Sequence, residues 1–368
     1  MDYLIRLFIS FIVLIFYSNE NTIRLNYTVN VEAFHVYLDI GNPIITKFFE
    51  ISLDSNYTYM FFTLINQRNP SNSIISLGKE TILINSIEVP ANKVNDDIYF
   101  KNISLARMTF YYLNDSSSSV YDTLSLPYKF DDLSMSFVHQ LYYQNRIKRK
   151  TFGFYEHDTL GRVFYFGDIP AEAINVFPYK AKYKVKEDSI EWSINLEKVI
   201  YNNKTYNNTK QAIIVTNEIV IFAPNHFFDT IIEPMLNTYY QSGKCYNKEE
   251  QKIICDCDVF LELSGITFII DRYQFFRSYS QLYNQFYSKC IFLIRRNVRS
   301  DQWKLGIPFL WTYASLFDYD DHSITFYSQK GIQSTGVKLK NQLLLFICFI
   351  LLLSILFLLY IKKNTYNK

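Results

Sequence analysis

Short runs in which apolar and polar side chains alternate recur along almost the whole chain. A period of two places every second side chain on the same face of a strand. A chain patterned this way is built to bury one side of a β-sheet. The clearest runs are Phe34 to Ile40, Phe48 to Leu53, Thr81 to Val89, Arg162 to Phe166, Trp192 to Ile200 and Ile324 to Tyr327. Composition points the same way: 31 Tyr and 32 Phe favour strands, and only 10 Gly and 9 Pro are left for turns. Asn takes over the turn positions, because it tolerates positive φ better than most side chains. Helical spacing is confined to Met135–Gln144 and Phe227–Tyr239, and Asn114–Ser119 and Tyr201–Lys210 read as loops. The expected class is all-β with minor helices. A weak break near Asp168 to Pro178 divides the chain into two lobes, 19–172 and 173–335. Each is close to the roughly 150 residues usual for one domain.

The two ends carry a different pattern. After Arg6, Leu7 to Phe16 form an apolar run of ten, too short to span a bilayer. Residues 1–18 therefore read as a signal peptide ending at Ser18. Leu343 to Ile361 is an uncharged run of nineteen, about 28 Å as a helix, which is close to a hydrocarbon core. Lys362 and Lys363 follow at once. A lipid-anchor signal usually ends in its apolar tail, whereas seven polar residues follow here. The expectation is a single-pass type I membrane protein of the secretory pathway or cell surface. Its transmembrane helix is 343–361 and its cytosolic tail 362–368. Sequons at Asn26, Asn56, Asn102, Asn114, Asn203 and Asn207 all fall in the luminal part and mark expected glycosylation. The net charge of +2 is too small for a field that would bind nucleic acid.

Cys348 lies within the membrane run; Cys245, Cys255, Cys257 and Cys290 lie in an oxidising compartment and imply two disulfides. Three connectivities exist, and one that bridges Cys255 to Cys257, two residues apart, is strained. No His or second cysteine pair stands beside Cys255-Asp256-Cys257, so no metal or cofactor is expected. His35, His139, His157, His226 and His322 are scattered outside any metalloprotease or serine-hydrolase motif.

Several segments resemble, in order, the pepsin-like aspartic peptidases. Phe34 to Pro43 is similar to the family's opening strand, and Phe49 to Asn56 stands where its first Asp-Thr-Gly belongs. Tyr121 to Pro127 resembles the family's Phe-Asp-Gly-Ile-Leu-Gly-Leu segment, and Phe152 to Tyr155 and Val163 to Ile169 resemble the strands before the lobe crossover. Trp192 to Leu196 resembles the opening of the second lobe. Gln211 to Asn217 stands at the second Asp-Thr-Gly, and Leu305 to Asp318 resembles the closing strands. The resemblance covers about residues 30 to 330 and implies a bilobal acid-protease fold with an interlobe cleft. It also implies a late disulfide between Cys257 and Cys290, 33 apart, which leaves Cys245 with Cys255.

Catalysis in that family needs two carboxylates that share a proton, one activating water and the other polarising the scissile carbonyl. The resemblance assigns Asp54 as the first carboxylate and puts Val215, which cannot ionise, at the second. The Gly positions of both loops are Asn56 and Asn217. Glu218, three residues after Val215, is the one candidate substitute acid. The closing hairpin is expected at Ser86 to Asp97, shortened and without Tyr or Gly. These departures imply a non-catalytic homologue that binds an extended peptide or protein in the cleft. The alternatives are an active aspartic endopeptidase using Asp54 with Glu218, and a structural surface glycoprotein.

Overall fold

The computed structural model describes residues 22–334, except 30–32, 62–70, 85, 101–102, 114–121, 187, 202–203, 208–210, 249–251, 263–264, 271–272, 278–282, 287–288, 312 and 330–332. Among the described residues no helix is long and apolar enough to cross a membrane. The expected signal peptide 1–18, membrane run 343–361, tail 362–368, loop 114–119 and sequons Asn102, Asn114 and Asn203 lie outside the described residues.

Strands form where the alternation predicts them. Phe34–Ile40 is a strand with those bounds, and Phe34, Val36, Leu38 and Ile40 are its buried face. Gly161–Phe166, Ser193–Tyr201 and Ser323–Ser328 likewise match their runs. Two expectations change. Thr81 to Val89 is not one strand: Ile75–Ile84 and Ile87–Phe100 form an antiparallel hairpin with Ile84 opposite Ile87. At the turn Ser86 has φ 68°, and the step of three from Ile84 to Ile87 breaks the period of two there. Tyr201 to Lys210 is not all loop, because Lys204–Asn207 folds back on Lys198–Tyr201.

Both helices are present. Ser136 caps Phe137–Tyr143 by accepting from the His139 N–H at 3.4 Å. Asn225 to Gln241 is helical throughout, and its middle, Phe228–Ile232, is a π-helix just before Pro234. Proline has no N–H to continue an α-ladder, and a widened turn removes the need for one.

The strands form a thirteen-, a nine- and a four-stranded sheet. The thirteen-stranded sheet is mostly from the first half, but Tyr179–Lys184, Ala314–Asp318 and Ser323–Ser328 complete one end of it. A cut at 172/173 therefore does not separate the sheets. Trp192, fully buried, sits between the two parts. Its Nε1–H donates to the Leu126 carbonyl at 2.9 Å, and its ring lies 5.0–5.9 Å from Tyr128, Phe152, Phe317 and Tyr319.

Cys245–Cys255 and Cys257–Cys290 are the two disulfides, with sequence separations of 10 and 33. Loop-closure entropy makes the longer crosslink the more stabilising, about 3.7 against about 2.7 kcal/mol. The Cys257→Ser/Cys290→Ser double variant should therefore lose more stability than the Cys245→Ser/Cys255→Ser pair. Urea unfolding of the two variants checks this.

Candidate functional site

One strand construction is used twice. In the first copy, Ile45–Ser52 runs parallel to Asp122–Ser125, with Glu50 opposite Thr123, Ile51 opposite Leu124 and Ser52 opposite Ser125. Tyr59–Phe61 then returns antiparallel, with Tyr59 opposite Thr123, and lies parallel to Ile103–Leu113. In the second copy, Gln211–Ile214 runs parallel to Trp303–Leu305, with Ile213 opposite Lys304 and Ile214 opposite Leu305. Ile221–Pro224 returns with Phe222 opposite Lys304 and lies parallel to Ile294–Asn297.

Thr123 and Lys304 are thus equivalent, as are Glu50 and Ile213, and Tyr59 and Phe222. The loops between these anchors have equal length. Ser52 therefore corresponds to Val215, Leu53 to Thr216, Asp54 to Asn217 and Ser55 to Glu218. One contact supports the count. Asn217 Nδ2 donates to Asp54 Oδ1 at 3.1 Å and Oδ2 at 3.3 Å, and the two residues are 163 apart, the same offset that relates the loops.

The side chains around this contact hold the loops together. Ser52 is buried; its Oγ–H donates to Asp54 Oδ1 at 2.5 Å, and the Oγ accepts from the Ser55 N–H at 3.0 Å. Thr216 is buried and its Oγ1–H donates across to the Ile51 carbonyl at 2.7 Å, while its own carbonyl accepts from the Phe34 N–H at 3.2 Å. The reciprocal bond is missing because the equivalent residue, Leu53, has no hydroxyl. Val215 is 2% exposed and its N–H donates to the Leu305 carbonyl. A Cβ on Gly306 would lie 2.4 Å from the Glu218 carbonyl oxygen, so only glycine fits there. Its counterpart Ser125 instead donates its hydroxyl to the carbonyl of Ser55, the residue equivalent to Glu218.

Burial pushes the Glu218 carboxyl above the ordinary carboxylate range; Lys304 opposes the shift and the Asp54 charge adds to it. Glu191 is raised by burial too, again against Lys304 and with Asp54. A carboxyl whose pKa rises on folding binds its proton more tightly in the folded chain. Its contribution is fully present below the unfolded value of 4.5 and is lost as pH rises through the raised folded value. Between pH 4.5 and neutrality the thermal midpoint should thus fall more steeply in the native chain than in Glu218→Gln, as differential scanning calorimetry would record.

The model of the eukaryotic aspartyl protease family matches residues 80–329. The chain belongs to this family. No curated protein matches the chain. The family match begins after the first loop, so the assignment of that loop rests on the internal register.

That register changes the reading of the aspartyl protease site. Asp54 stands two residues beyond the position that corresponds to Val215 and is matched instead to Asn217. Ser52 occupies the position the resemblance had given to Asp54. Asp54 is the only acid between Glu50 and Lys79, so the motif resemblance falls on it. Aligning the two halves of the chain with each other, rather than with an outside motif, would have exposed it.

The closing hairpin also differs from expectation. Ser86 to Asp97 is mainly one arm of the Ile75–Phe100 hairpin, which is long rather than shortened, and Gly78 lies in the other arm. The hairpin packs onto the first loop: Ile82, Ile84 and Val89 share an apolar cluster with Tyr57 and Tyr111. Asn26, Asn56 and Asn207 are exposed, and Asn56 is two residues from Asp54.

Proposed function

We propose that this chain is a non-catalytic, membrane-anchored member of the aspartyl protease family that binds an extended peptide or protein segment. The observation that carries the reading is the equivalence of Ser52 and Val215. A shared-proton mechanism needs a carboxyl at each of those positions, and neither residue supplies one. The nearest carboxylate, Asp54, is engaged by Ser52 and Asn217. The uncharged run 343–361 supports the anchor, and the exposed sequons suit a luminal or surface glycoprotein.

Binding has a structural opening in the hairpin. Ile75–Ile84 ends the thirteen-stranded sheet and is exposed along almost its whole length. Its outer edge has no strand partner among the described residues. An extended segment can add there through main-chain hydrogen bonds, with exposed Leu83 and Ile87 offering apolar contacts. A second reading, peptidase activity through Asp54 and Glu218, is favoured by the raised Glu218 carboxyl alone.

Incubating the full-length chain with a diverse peptide library at acid and neutral pH tests both. Retention of intact extended peptides is the expected result. Cleavage that disappears in Glu218→Gln would replace the binding reading with the peptidase one, and neither retention nor cleavage would sink both.

A further inference from the structure

A cavity of about 440 Å³ lies away from the two loops. One side is the tip of the hairpin formed by Thr151–His157 and Gly161–Phe166, which contributes His157, Asp158 and Arg162. Phe177, at the end of the Ala171–Val176 helix, and Trp311, at the end of the Ile307–Leu310 helix, supply the aromatic wall.

The polar groups are of mixed kind. His157 Nδ1 accepts from the Thr159 N–H at 3.2 Å, so the neutral ring carries its hydrogen on Nε2 and is a donor there. The ring itself meets Phe177 edge-on at 5.9 Å. Arg162 Nε donates to Glu156 Oε1 at 2.8 Å, and the two charges offset each other. Asp158 is exposed and has no ion pair among the described residues. The indole N–H of Trp311 is buried, so the cavity meets this side chain through its ring.

We propose that this cavity binds a neutral pyranose sugar. Its volume falls within the range of small-ligand pockets, and it combines apolar walls with a few placed polar groups. The lining carries one uncompensated negative charge, at Asp158, which disfavours an anionic ligand. The Asp158 carboxylate accepts from neighbouring sugar hydroxyls, the His157 Nε2–H donates, and a hydroxyl serves in both roles. The C–H face of a pyranose can pack on the part-exposed ring of Trp311. This site shares no residue with the loops around Asp54 or with the Ile75–Phe100 hairpin, so it stands apart from the peptide-binding reading.

The chain has three tryptophans, and Trp192 and Trp303 are fully buried while Trp311 is part-exposed. Intrinsic fluorescence of the full-length chain therefore reports on this cavity. Methyl mannoside, galactose and N-acetylglucosamine are the probes, with glycerol and a primary amine as controls. At least one sugar should give a saturable shift, weakened about tenfold or more by Asp158→Asn, and calorimetry should show its binding lost in Trp311→Ala. Asp158 lies on an exposed turn, so its variant should fold. No saturable change with any of the sugars up to about 50 mM would overturn the proposal. So would binding unchanged in Asp158→Asn, or binding of the amine without the sugars.

Discussion

Peptide hydrolysis by the full-length chain should stay at the uncatalysed background from about pH 3 to pH 7, and Val215→Asp should leave it there. General acid–base chemistry contributes about 10²–10⁴-fold, and enzymes reach about 10⁶-fold or more in total when positioning and electrostatics are added. The wild-type chain has no carboxyl at Ser52 or Val215, so the acid–base contribution is absent. Val215→Asp adds one carboxyl opposite a buried serine, which still leaves no pair. The alternative register, with Asp54 equivalent to Val215, makes the opposite prediction: that single substitution would complete a pair and generate acid-dependent cleavage. Activity in Val215→Asp therefore overturns the equivalence of Ser52 and Val215. The new carboxyl would be buried where Val215 is 2% exposed, so it should destabilise the fold least at acid pH, where it is protonated. Circular dichroism at both pH limits would establish that the variant is folded before activity is read.

Trp192→Ala should remove about 4 kcal/mol of stability, the largest loss expected from a single core truncation here. The side chain is fully buried among four aromatic rings, and those rings come from both sides of the chain's midpoint. Removing the indole opens a cavity between them and strips the Leu126 carbonyl of its donor. Trp192→Phe keeps most of the packing and should cost only the unmade hydrogen bond, about 1–3 kcal/mol. Chemical denaturation of the two variants separates the terms. A loss in Trp192→Ala no larger than in Trp192→Phe would show that the aromatic cluster closes over the gap.

Strand positions were legible because each buried strand repeats its apolar residues every second place, as Phe34 to Ile40 does. Turns were less legible where neither Gly nor Pro marks them. Between Ile84 and Ile87, which face each other across a turn, only Asn85 and Ser86 intervene, and a single step of three is a small break in the rhythm of the flanking strands. The disulfide pairing followed from the family resemblance, and the structure has both bonds.

By itself the sequence determined that the chain is mostly β, that it belongs among the aspartyl proteases, and that Val215 cannot serve as a carboxylate. The first and last depend on local periodicity and side-chain chemistry, which are properties of near neighbours and single residues; the family follows from the order of resembling segments along the chain. Which residue faces Val215's position in the other half was decided only by tertiary structure. Register is fixed by hydrogen bonds between strands far apart in sequence, and a shift of two residues keeps every side chain on the same face. Ser52 and Asp54 are thus equally compatible with the pattern of the strand. Only the pairing of Ile51 with Leu124, of Tyr59 with Thr123 and of Asp54 with Asn217 separates them.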